Sequence, residues 1–425
     1  MGLLSTFKTK RIGFVSMAAA AVLSIAHMTG RPAHAVGVSG DTAQPLISAA
    51  EWSAFKARFV GRDGRVIDRE NRSVSHSEGQ GYGMLLAVHA GDRATFGKVW
   101  DFARQRLQIR HDALLAWRYV PHASPNVPDM NNATDGDIIV AYALLRAATL
   151  WNDARYLSQA KRIVDDIGRK LIGWHQGTPY LTPGAFGFER TAGNRGPVVN
   201  LSYYFYRAFD LFEVVAPQYS WETLAEAGRE LTVQASQGRR GYVPDWIVLA
   251  PGGDVRLANG FDARSSYDAV RVPLYAAYDG RNPKGVRGFD AAWNLSGTGV
   301  PVNMDLERHM RAERMGDPGY RMIAALAACL SRGTAVDPAL LRFRPTTYFA
   351  SSLHLIALVA VRERGLCTPQ VEASARETVM IASSSEPREL TRPVATRTGT
   401  RTARRLPHNA SLSDRIMAST WLPRR

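Results

Sequence analysis

Apolar residues along most of the chain recur every three or four positions, which is the spacing of residues on one face of a helix. The pattern is clear at Ile138, Ala141, Leu145 and Ala148, whereas the alternation typical of strands is scarce between residues 43 and 363. About ten helices are predicted, near residues 47–59, 79–90, 94–108, 135–151, 153–172, 200–214, 221–235, 267–278, 318–331 and 347–362. Because no fixed repeat length relates them, the pattern favours one domain closed as a ring of helical hairpins over an open solenoid.

Four long loops rich in Gly, Pro, Asn and Asp join the predicted helices. They cover residues 109–134, 174–199, 236–266 and 279–317. Loops of this length are uncommon inside a compact domain, and those that occur usually carry function. Functional residues are therefore expected where these loops meet helix starts.

The composition excludes several classes of protein. A chain of 425 residues that is 45% hydrophobic can bury a large core, so disorder throughout is excluded. Two cysteines, Cys329 and Cys367, can form neither a disulfide scaffold nor the paired ligand spacing of a zinc finger. The two could pair in an oxidising compartment, or Cys329 could be a buried thiol in its apolar surroundings.

The formal net charge of +15 lies mostly at the two ends of the chain. Residues 1–35 contribute +4 and residues 376–425 contribute +6, which leaves an ordinary +5 for the rest. A nucleic-acid-binding protein is therefore disfavoured, because the excess charge is terminal and part of it belongs to a segment with the features of a signal peptide.

The first 35 residues have those features. Basic residues precede an apolar run over residues 12–25, and Ala33-His34-Ala35 is a small-residue cleavage site. The run is shorter than the roughly 20 residues that a spanning helix needs. We therefore predict a signal peptide over residues 1–35 and a mature protein that is secreted or periplasmic and has no membrane span. The mature chain is predicted to consist of a functional domain over residues 36–370 and a disordered basic tail over residues 371–425.

The first candidate acid is Glu78, in a Ser- and Gly-rich segment over residues 75–84. Ser77 and Gln80 have the spacing of a capping box, which places Glu78 in the first turn of a helix. An acid there complements the helix dipole without any further role. Three alternating glycines at positions 79, 81 and 83 nevertheless indicate that another group approaches this turn closely.

The second candidate is Asp135, at the start of the strongly periodic helix that ends near Trp151. Thr134 and Asp137 again have capping spacing, so Asp137 is predicted to be structural. Asp135 is left without an evident structural role.

The third candidate is Asp268, one helical turn before Arg271. An exposed ion pair at this spacing would contribute little. A buried pair would keep Asp268 ionised, as a general base requires.

Aromatic residues are dense in the loops around these acids. They are Trp117, Tyr119, Trp174, Tyr180, Phe186, Phe188, Tyr203, Tyr204, Tyr242 and Trp246. As a set on polar loops they suggest a groove in which sugar rings stack on aromatic faces. Carboxylates without a metal or nucleotide motif suit glycosidic hydrolysis, in which one acid protonates the leaving oxygen and another activates water or attacks carbon.

Residues 133–151 resemble the signature of glycoside hydrolase family 8 across its full length, apart from Val140, where Ile or Met is usual. Residues 77–84 are similar to the acid motif of that family and residues 267–273 to its base motif. The segments 200–203 and 244–246 fall in the same order as in the family. The resemblance covers about residues 45–365.

The resemblance implies an all-α fold, an (α/α)6 barrel of twelve helices with a substrate groove across one end. The helices missing from our ten would lie in residues 279–317 or 174–199. It implies hydrolysis with inversion, with Glu78 as general acid, Asp268 as general base and Asp135 holding the sugar. No metal or cofactor is implied.

For this chemistry the two catalytic carboxyls should differ in pKa. Burial and the charge of Asp135 should raise the pKa of Glu78, and Arg271 should lower that of Asp268. Tyr203 is expected to orient water or substrate. The predicted substrate-binding residues are Arg271, Tyr203, Trp117, Tyr204 and Trp246.

The resemblance leaves the polysaccharide open among β-1,4 chains of glucose, glucosamine and xylose. The neutral, aromatic loops favour a β-1,4-glucan, cellulose. The form of residues 267–273 is most similar to endoglucanases of cellulose production, with a cellulose synthase complex as candidate partner. A chitosanase or xylanase is the alternative within the family, and a non-catalytic polysaccharide-binding protein the alternative outside it.

Overall fold

The computed structural model of the chain describes residues 45–189, 191, 193–236, 241–281, 284–295 and 298–367. The predicted signal peptide and the predicted tail lie outside these residues. Across the described ranges, no helix is long and apolar enough to cross a bilayer.

Helices dominate the described residues. They are α1 (Ala49–Phe59), α2 (Ser77–His89), α3 (Arg93–Arg106), α4 (Thr134–Trp151), α5 (Ala154–Lys170), α6 (Tyr206–Val215), α7 (Trp221–Gln234), α8 (Arg271–Asp279), α9 (Arg287–Asp290), α10 (Pro318–Arg332) and α11 (Tyr348–Arg364). Each of the ten predicted helices is present. One of the two helices missing from that set, α9, lies in residues 279–317 and continues as a π-helical turn over Ala291–Leu295, whereas the described residues of 174–199 contain no helix.

Two helices begin later than the periodicity predicts. Before α6, residues Leu201–Tyr203 form a short 3-10 helix, because the Asn200 side chain accepts a hydrogen bond from Ser202 N at 3.0 Å. Before α8, residues 267–270 form a turn, so Asp268 precedes the helix. A nonlocal carboxylate binds the backbone of that turn, as described below.

Five helices close into a ring. Helix α2 packs against α4, α4 against α6, α6 against α8, α8 against α11, and α11 against α2. Helices α2, α4, α8 and α11 are buried around nearly their whole circumference, whereas α3, α5 and α7 keep exposed faces and pack outside α2, α4 and α6. Helix α10 packs against both α8 and α11. The predicted closed, all-helical domain is therefore what the chain forms.

Glycine allows α2 and α4 to touch. A Cβ atom on Gly81 would lie 2.9 Å from Ile139 Cγ2, and one on Gly136 would lie 2.2 Å from Ser77 Oγ. Real Cβ atoms do not come so close, so only glycine permits this approach. Of the alternating glycines of α2, Gly81 thus faces α4, whereas Gly79 faces Tyr348 of α11 and Gly83 faces Val66.

The long loops contain short antiparallel strands, which the periodicity does not predict because most have only two to four residues. Two sheets have two strands, β1 (Ser75–His76) with β2 (Arg118–Tyr119) and β3 (Ile172–His175) with β4 (Thr178–Leu181). Two have three strands: β6 (Ile247–Leu249) lies between β5 (Val198–Val199) and β7 (Val255–Leu257), and β9 (Val302–Asp305) lies between β8 (Arg264–Ser265) and β10 (Met310–Arg314). Strand β1 runs directly into α2. Its register, with Ser75 opposite Tyr119, fixes where α2 begins.

Cys329 of α10 and Cys367 beyond α11 form a disulfide, with Cα atoms 5.7 Å apart. Of the two possibilities left open by the sequence, pairing is the one found. The bond ties the end of α11 back to α10.

Candidate active site

The three candidate acids converge at the N-terminal ends of helices in the ring. Glu78 is the second residue of α2 and Asp135 the second residue of α4. Asp268 lies in the turn that leads into α8, which begins at Arg271. The partial positive charge of helix N-termini favours carboxylates at these positions.

Arg271 joins all three carboxylates. Its Nη1 donates hydrogen bonds to Glu78 Oε1 and, at 2.7 Å, to Asp135 Oδ2. Its Nη2 donates to Asp268 Oδ1 at 2.6 Å and to Ser202 Oγ at 2.8 Å. Arg271 is 2% exposed. The Asp268–Arg271 pair is thus buried, and it belongs to a cluster assembled from distant parts of the chain.

Burial governs the protonation of this cluster. It raises the pKa of Glu78 to about 7, against the pull of Arg271 and with help from the charge of Asp135. It likewise raises the pKa of Asp268 to about 8, although Arg271 lowers it. Arg271 thus lowers the pKa of Asp268, as expected, but the expected low net pKa is wrong, because desolvation by burial outweighs the guanidinium and the neighbouring carboxylates add to the rise.

Asp245 holds the turn that carries Asp268, and we did not predict it as a site residue. Its Oδ1 accepts hydrogen bonds from Ser266 N at 2.8 Å and Ala269 N at 2.9 Å, and its Oδ2 accepts one from Ser266 Oγ. These bonds explain why α8 starts late. Burial raises the pKa of Asp245 to about 6. The sequence did contain a sign of its importance, because Asp245 lies in the segment 244–246, which falls in the same order as in the family.

The start of α2 is held differently from the predicted capping box. The N-cap residue is His76 and makes no side-chain cap, and Ser77 Oγ has no hydrogen-bond partner. Gln80 instead reaches the preceding loop and α3: its Oε1 accepts from Val66 N at 2.6 Å, and its Nε2 donates to Val99 O at 3.1 Å. Glu78 still lies in the first turn, as predicted, but nonlocal contacts place it there.

The start of α4 also lacks the predicted cap. Thr134 Oγ1 donates to Thr182 O at 2.6 Å. Asp137 accepts hydrogen bonds from Leu115 N and Asn132 Nδ2, both at 2.8 Å. Asp137 thus makes the structural contacts expected of it, but it holds the loop before α4 rather than the helix end.

Tyrosines surround the carboxylates. The ring of Tyr203 lies 5.4 Å from the Arg271 guanidinium and is 3% exposed. Tyr82 Oη donates to Glu78 Oε1 at 3.0 Å and lies 2.6 Å from Tyr275 Oη. We did not predict Tyr82 or Tyr275, although Tyr82 follows Glu78 by four residues and so shares its helix face.

Trp117 lies beside the start of α2. Its backbone oxygen accepts a hydrogen bond from Ser77 N at 2.9 Å, and its Nε1 donates to Asp129 Oδ2 at 2.8 Å. Its ring is nearly parallel to that of His76, at 6.1 Å between centroids. The structure therefore brings Trp117 close to Glu78.

Tyr204 and Trp246, like Tyr203, are buried in this structure, and their contact with substrate stays a prediction. Tyr204 is 0% exposed, accepts a hydrogen bond from Leu181 N and packs on Gly228. Trp246 is 2% exposed, stacks with Phe188 and Phe261, and meets Tyr203 in an edge-to-face contact. Neither ring is accessible to solvent in this structure.

Two other loop aromatics are accessible. Trp174 is 61% exposed on β3, and Phe186 is 60% exposed. Phe186 is tied through two hydrogen bonds to Asn131, in the segment that enters α4. Phe186 is therefore better placed than Tyr204 to contact a ligand near Asp135.

The cluster can hold and move protons. Asp268 Oδ2 is buried without a hydrogen-bond partner, so it keeps a lone pair for a proton, while Glu78 has a pKa near neutrality. Within the described ranges, no group of three or more His, Cys, Asp or Glu residues is arranged to hold a metal ion. A carboxyl that gives a proton and a carboxylate that takes one are the parts of acid–base hydrolysis.

A closed helical ring with a carboxylate cluster at its helix N-termini defines the class of protein, a glycoside hydrolase with an α/α-barrel fold. The family model of the glycosyl hydrolases family 8 matches residues 23–295. The chain belongs to this family.

Relatives agree with the assignment. A protein of Novacetimonas hansenii described as a probable endoglucanase is 36% identical over 336 residues, which are 77% of this chain and 94% of the relative. The endo-beta-1,4-glucanase CMCax from Acetobacter xylinum has a similar structure, with a TM-score of 0.68, 33% identity, and coverage of 76% of this chain and 100% of that one. The endoglucanase Cel10 from Klebsiella pneumoniae gives a TM-score of 0.67 at 30% identity, over 74% of this chain and 99% of that one. The predicted family and the predicted (α/α)6 barrel are confirmed.

Proposed function

We propose that this protein is an endo-1,4-β-glucanase that hydrolyses β-1,4-glucan, cellulose, with inversion at the anomeric carbon. The observation that carries the proposal is the single buried guanidinium of Arg271, which bridges carboxylates from three separate parts of the ring. The names of the similar proteins, endoglucanases in each case, support the same activity.

In this proposal Glu78 is the general acid and Asp268 the general base. Glu78 gives its proton to the glycosidic oxygen as the bond to the anomeric carbon breaks. Asp268 takes a proton from the water whose oxygen attacks that carbon from the opposite face, so the product carries the inverted configuration. Asp135 binds and holds the sugar at the cleavage point, and Tyr203, packed on Arg271, orients water or substrate.

The raised pKa of Glu78 suits a general acid, which must hold a proton near neutral pH. Asp268, whose pKa is raised to about 8, must lose its proton before it can act as the base. Each turnover leaves Glu78 ionised and Asp268 protonated, so the site is reset when Asp268 releases its proton and Glu78 regains one. We expect a bell-shaped pH profile whose limbs belong to the coupled cluster rather than to single residues.

Activity on polymers tests the substrate. We expect the viscosity of carboxymethyl cellulose to fall faster than reducing ends appear, as internal cleavage requires. Activity on chitosan or xylan with none on the cellulose derivative would favour the alternatives within the family. Glucan binding without any hydrolysis would favour the non-catalytic alternative, which the presence of Glu78, Asp135, Asp268 and Arg271 argues against.

We further propose that residues 1–35 direct export, that residues 36–370 form the catalytic domain, and that residues 371–425 form a basic tail. The disulfide between Cys329 and Cys367 supports an oxidising compartment, secreted or periplasmic. A role in cellulose production, with a cellulose synthase complex as partner, rests on the form of residues 267–273. The neighbourhood of the gene tests that role.

A further inference from the structure

Both hydrogen bonds that Glu78 receives fall on the same oxygen. Arg271 Nη1 and Tyr82 Oη each donate to Oε1. The Glu78 side chain is 16% exposed, whereas Arg271 and Tyr82 are almost fully buried. One carboxyl oxygen is thus bound to the protein and the other, Oε2, is left for a ligand.

The direction of these bonds follows from donor counting. A guanidinium can only donate, so Oε1 is an acceptor toward Arg271. Tyr82 has only one hydroxyl hydrogen. If Tyr82 donates that hydrogen to Glu78 Oε1, then the hydrogen bond between Tyr82 Oη and Tyr275 Oη, 2.6 Å apart, must be donated by Tyr275. The resulting chain runs from Tyr275 to Tyr82 to Glu78 Oε1. Tyr82 and Tyr275 are each 1% exposed, so water does not replace either partner.

We propose that Tyr82, held by Tyr275, is a positioning residue that saturates Oε1 of Glu78 and thereby places the catalytic proton on Oε2. The proposal rests on the proposed function, in which Glu78 is the general acid. An acid whose proton sat on Oε1 would face protein donors and could not protonate the glycosidic oxygen. Two fixed donors on Oε1 remove that unproductive form before substrate binds.

Other charged and titratable groups lie around Glu78, and of these only Arg271 also donates a hydrogen bond to one of its oxygens, Oε1. They are Asp135 on α4, Asp268 and Arg271 at α8, Asp68 before β1, and Tyr203 and Tyr348. Asp68 and the other acids raise the pKa of Glu78 and Arg271 lowers it. Tyr82 also lowers the pKa of Glu78, because its hydrogen bond stabilises the carboxylate.

The test is Tyr82→Phe in the full-length enzyme, assayed on cellopentaose. We expect kcat to fall at least tenfold with KM within twofold of the wild type. The alkaline limb of the kcat profile should move to higher pH by about half a unit to one unit, a three- to tenfold change in proton affinity, because the carboxylate loses a donor. A limb that stays in place or moves to lower pH overturns the proposal.

A substrate that needs no proton adds a second readout. The dinitrophenolate of 2,4-dinitrophenyl β-cellotrioside leaves without acid assistance, so the Tyr82→Phe loss should shrink below threefold on this substrate. An equal loss on both substrates would mean a general structural defect and would also overturn the proposal.

Matched variants keep the test decisive. Tyr275→Phe removes the donor behind Tyr82 and should shift the limb in the same direction by a smaller amount, and it replaces Tyr82→Phe if that variant does not fold. Tyr278→Phe is the control, because Tyr278 lies one turn further along α8, equally buried, with its hydroxyl 2.8 Å from His89 Nε2. Tyr278→Phe should leave the alkaline limb of the kcat profile unchanged.

The failure of the proposed function and the failure of this inference give different results. Full activity of Glu78→Gln would refute the proposed function itself. An unmoved limb in Tyr82→Phe, in an enzyme whose activity depends on Glu78, would refute only the role of Tyr82.

Discussion

Arg271→Met tests whether one guanidinium holds the carboxylate cluster together. Methionine keeps an unbranched apolar stem but removes the charge and the donors to Glu78, Asp135, Asp268 and Ser202. Removing one partner of a buried ion pair costs about 3–5 kcal/mol, because the other charge remains buried without compensation.

The stability lost in Arg271→Met should depend on pH. Burial raises the folded-state pKa of Glu78 from 4.5 to about 7 and that of Asp268 from 3.8 to about 8. The folded state therefore binds more protons than the unfolded state between about pH 4 and pH 8, and the stability of the wild type falls as the pH rises through that window. Without Arg271 the pKa values of Glu78 and Asp268 in the folded state rise further. The stability of the variant therefore falls more steeply than that of the wild type as the pH rises and the carboxyls ionise.

We expect Arg271→Met to lower the free energy of unfolding by about 1–2 kcal/mol at pH 5, where Glu78 and Asp268 are mostly protonated in the fold, and by about 4 kcal/mol at pH 8. Urea titrations at the two pH values measure the difference. Arg256→Met is the control, because the pair of Arg256 with Asp254 is exposed, and its effect should stay within about 0.5 kcal/mol. An equal loss for Arg271→Met at both pH values, or a larger loss at pH 5, would refute the reasoning.

Three further changes probe the site and the frame around it. Asp135→Asn removes a charge that raises the pKa of Glu78, so the alkaline limb of the residual activity should move to lower pH by about one unit; an unmoved limb would disprove this coupling. Gly136→Ala sets a methyl group 2.7 Å from the Glu78 backbone nitrogen, and should cost about 2 kcal/mol in urea unfolding and lower kcat, whereas Gly97→Ala, with nothing within 4 Å, should cost nothing. Cys329→Ser opens a bond with a sequence separation of 38, and should lower stability by about 4 kcal/mol; reductant should then destabilise the wild type but not the variant.

The sequence could predict what is encoded locally. The period of α4 follows from apolar residues that are neighbours on one helix face, and the family signature lies along the same helix. Glu78 and Asp135 could be placed in first turns because loop residues end where the period begins. The same reasoning could not find β1 and β2, since two-residue strands are too short to show alternation.

What the sequence could not predict depends on contacts between distant residues. Gln80 has capping spacing but bonds to Val66 and Val99, whose proximity only the folded ring creates. The turn before α8 stays out of the helix because Asp245, more than twenty residues earlier, binds its backbone. The raised pKa of Asp268 likewise follows from its burial in the folded ring and from the charges of Asp245, Asp135 and Glu78, which lie far from it in the sequence.

The stereochemistry of hydrolysis tests the central claim most directly. Proton NMR of fresh cello-oligosaccharide hydrolysis by the purified protein reports the anomer formed first, beside a parallel reaction with Glu78→Gln. Inversion with Glu78 as the acid predicts that the α-anomer appears first in the wild-type reaction and that the variant yields almost no product. A β-anomer formed first, or full activity in Glu78→Gln, would contradict the assignment.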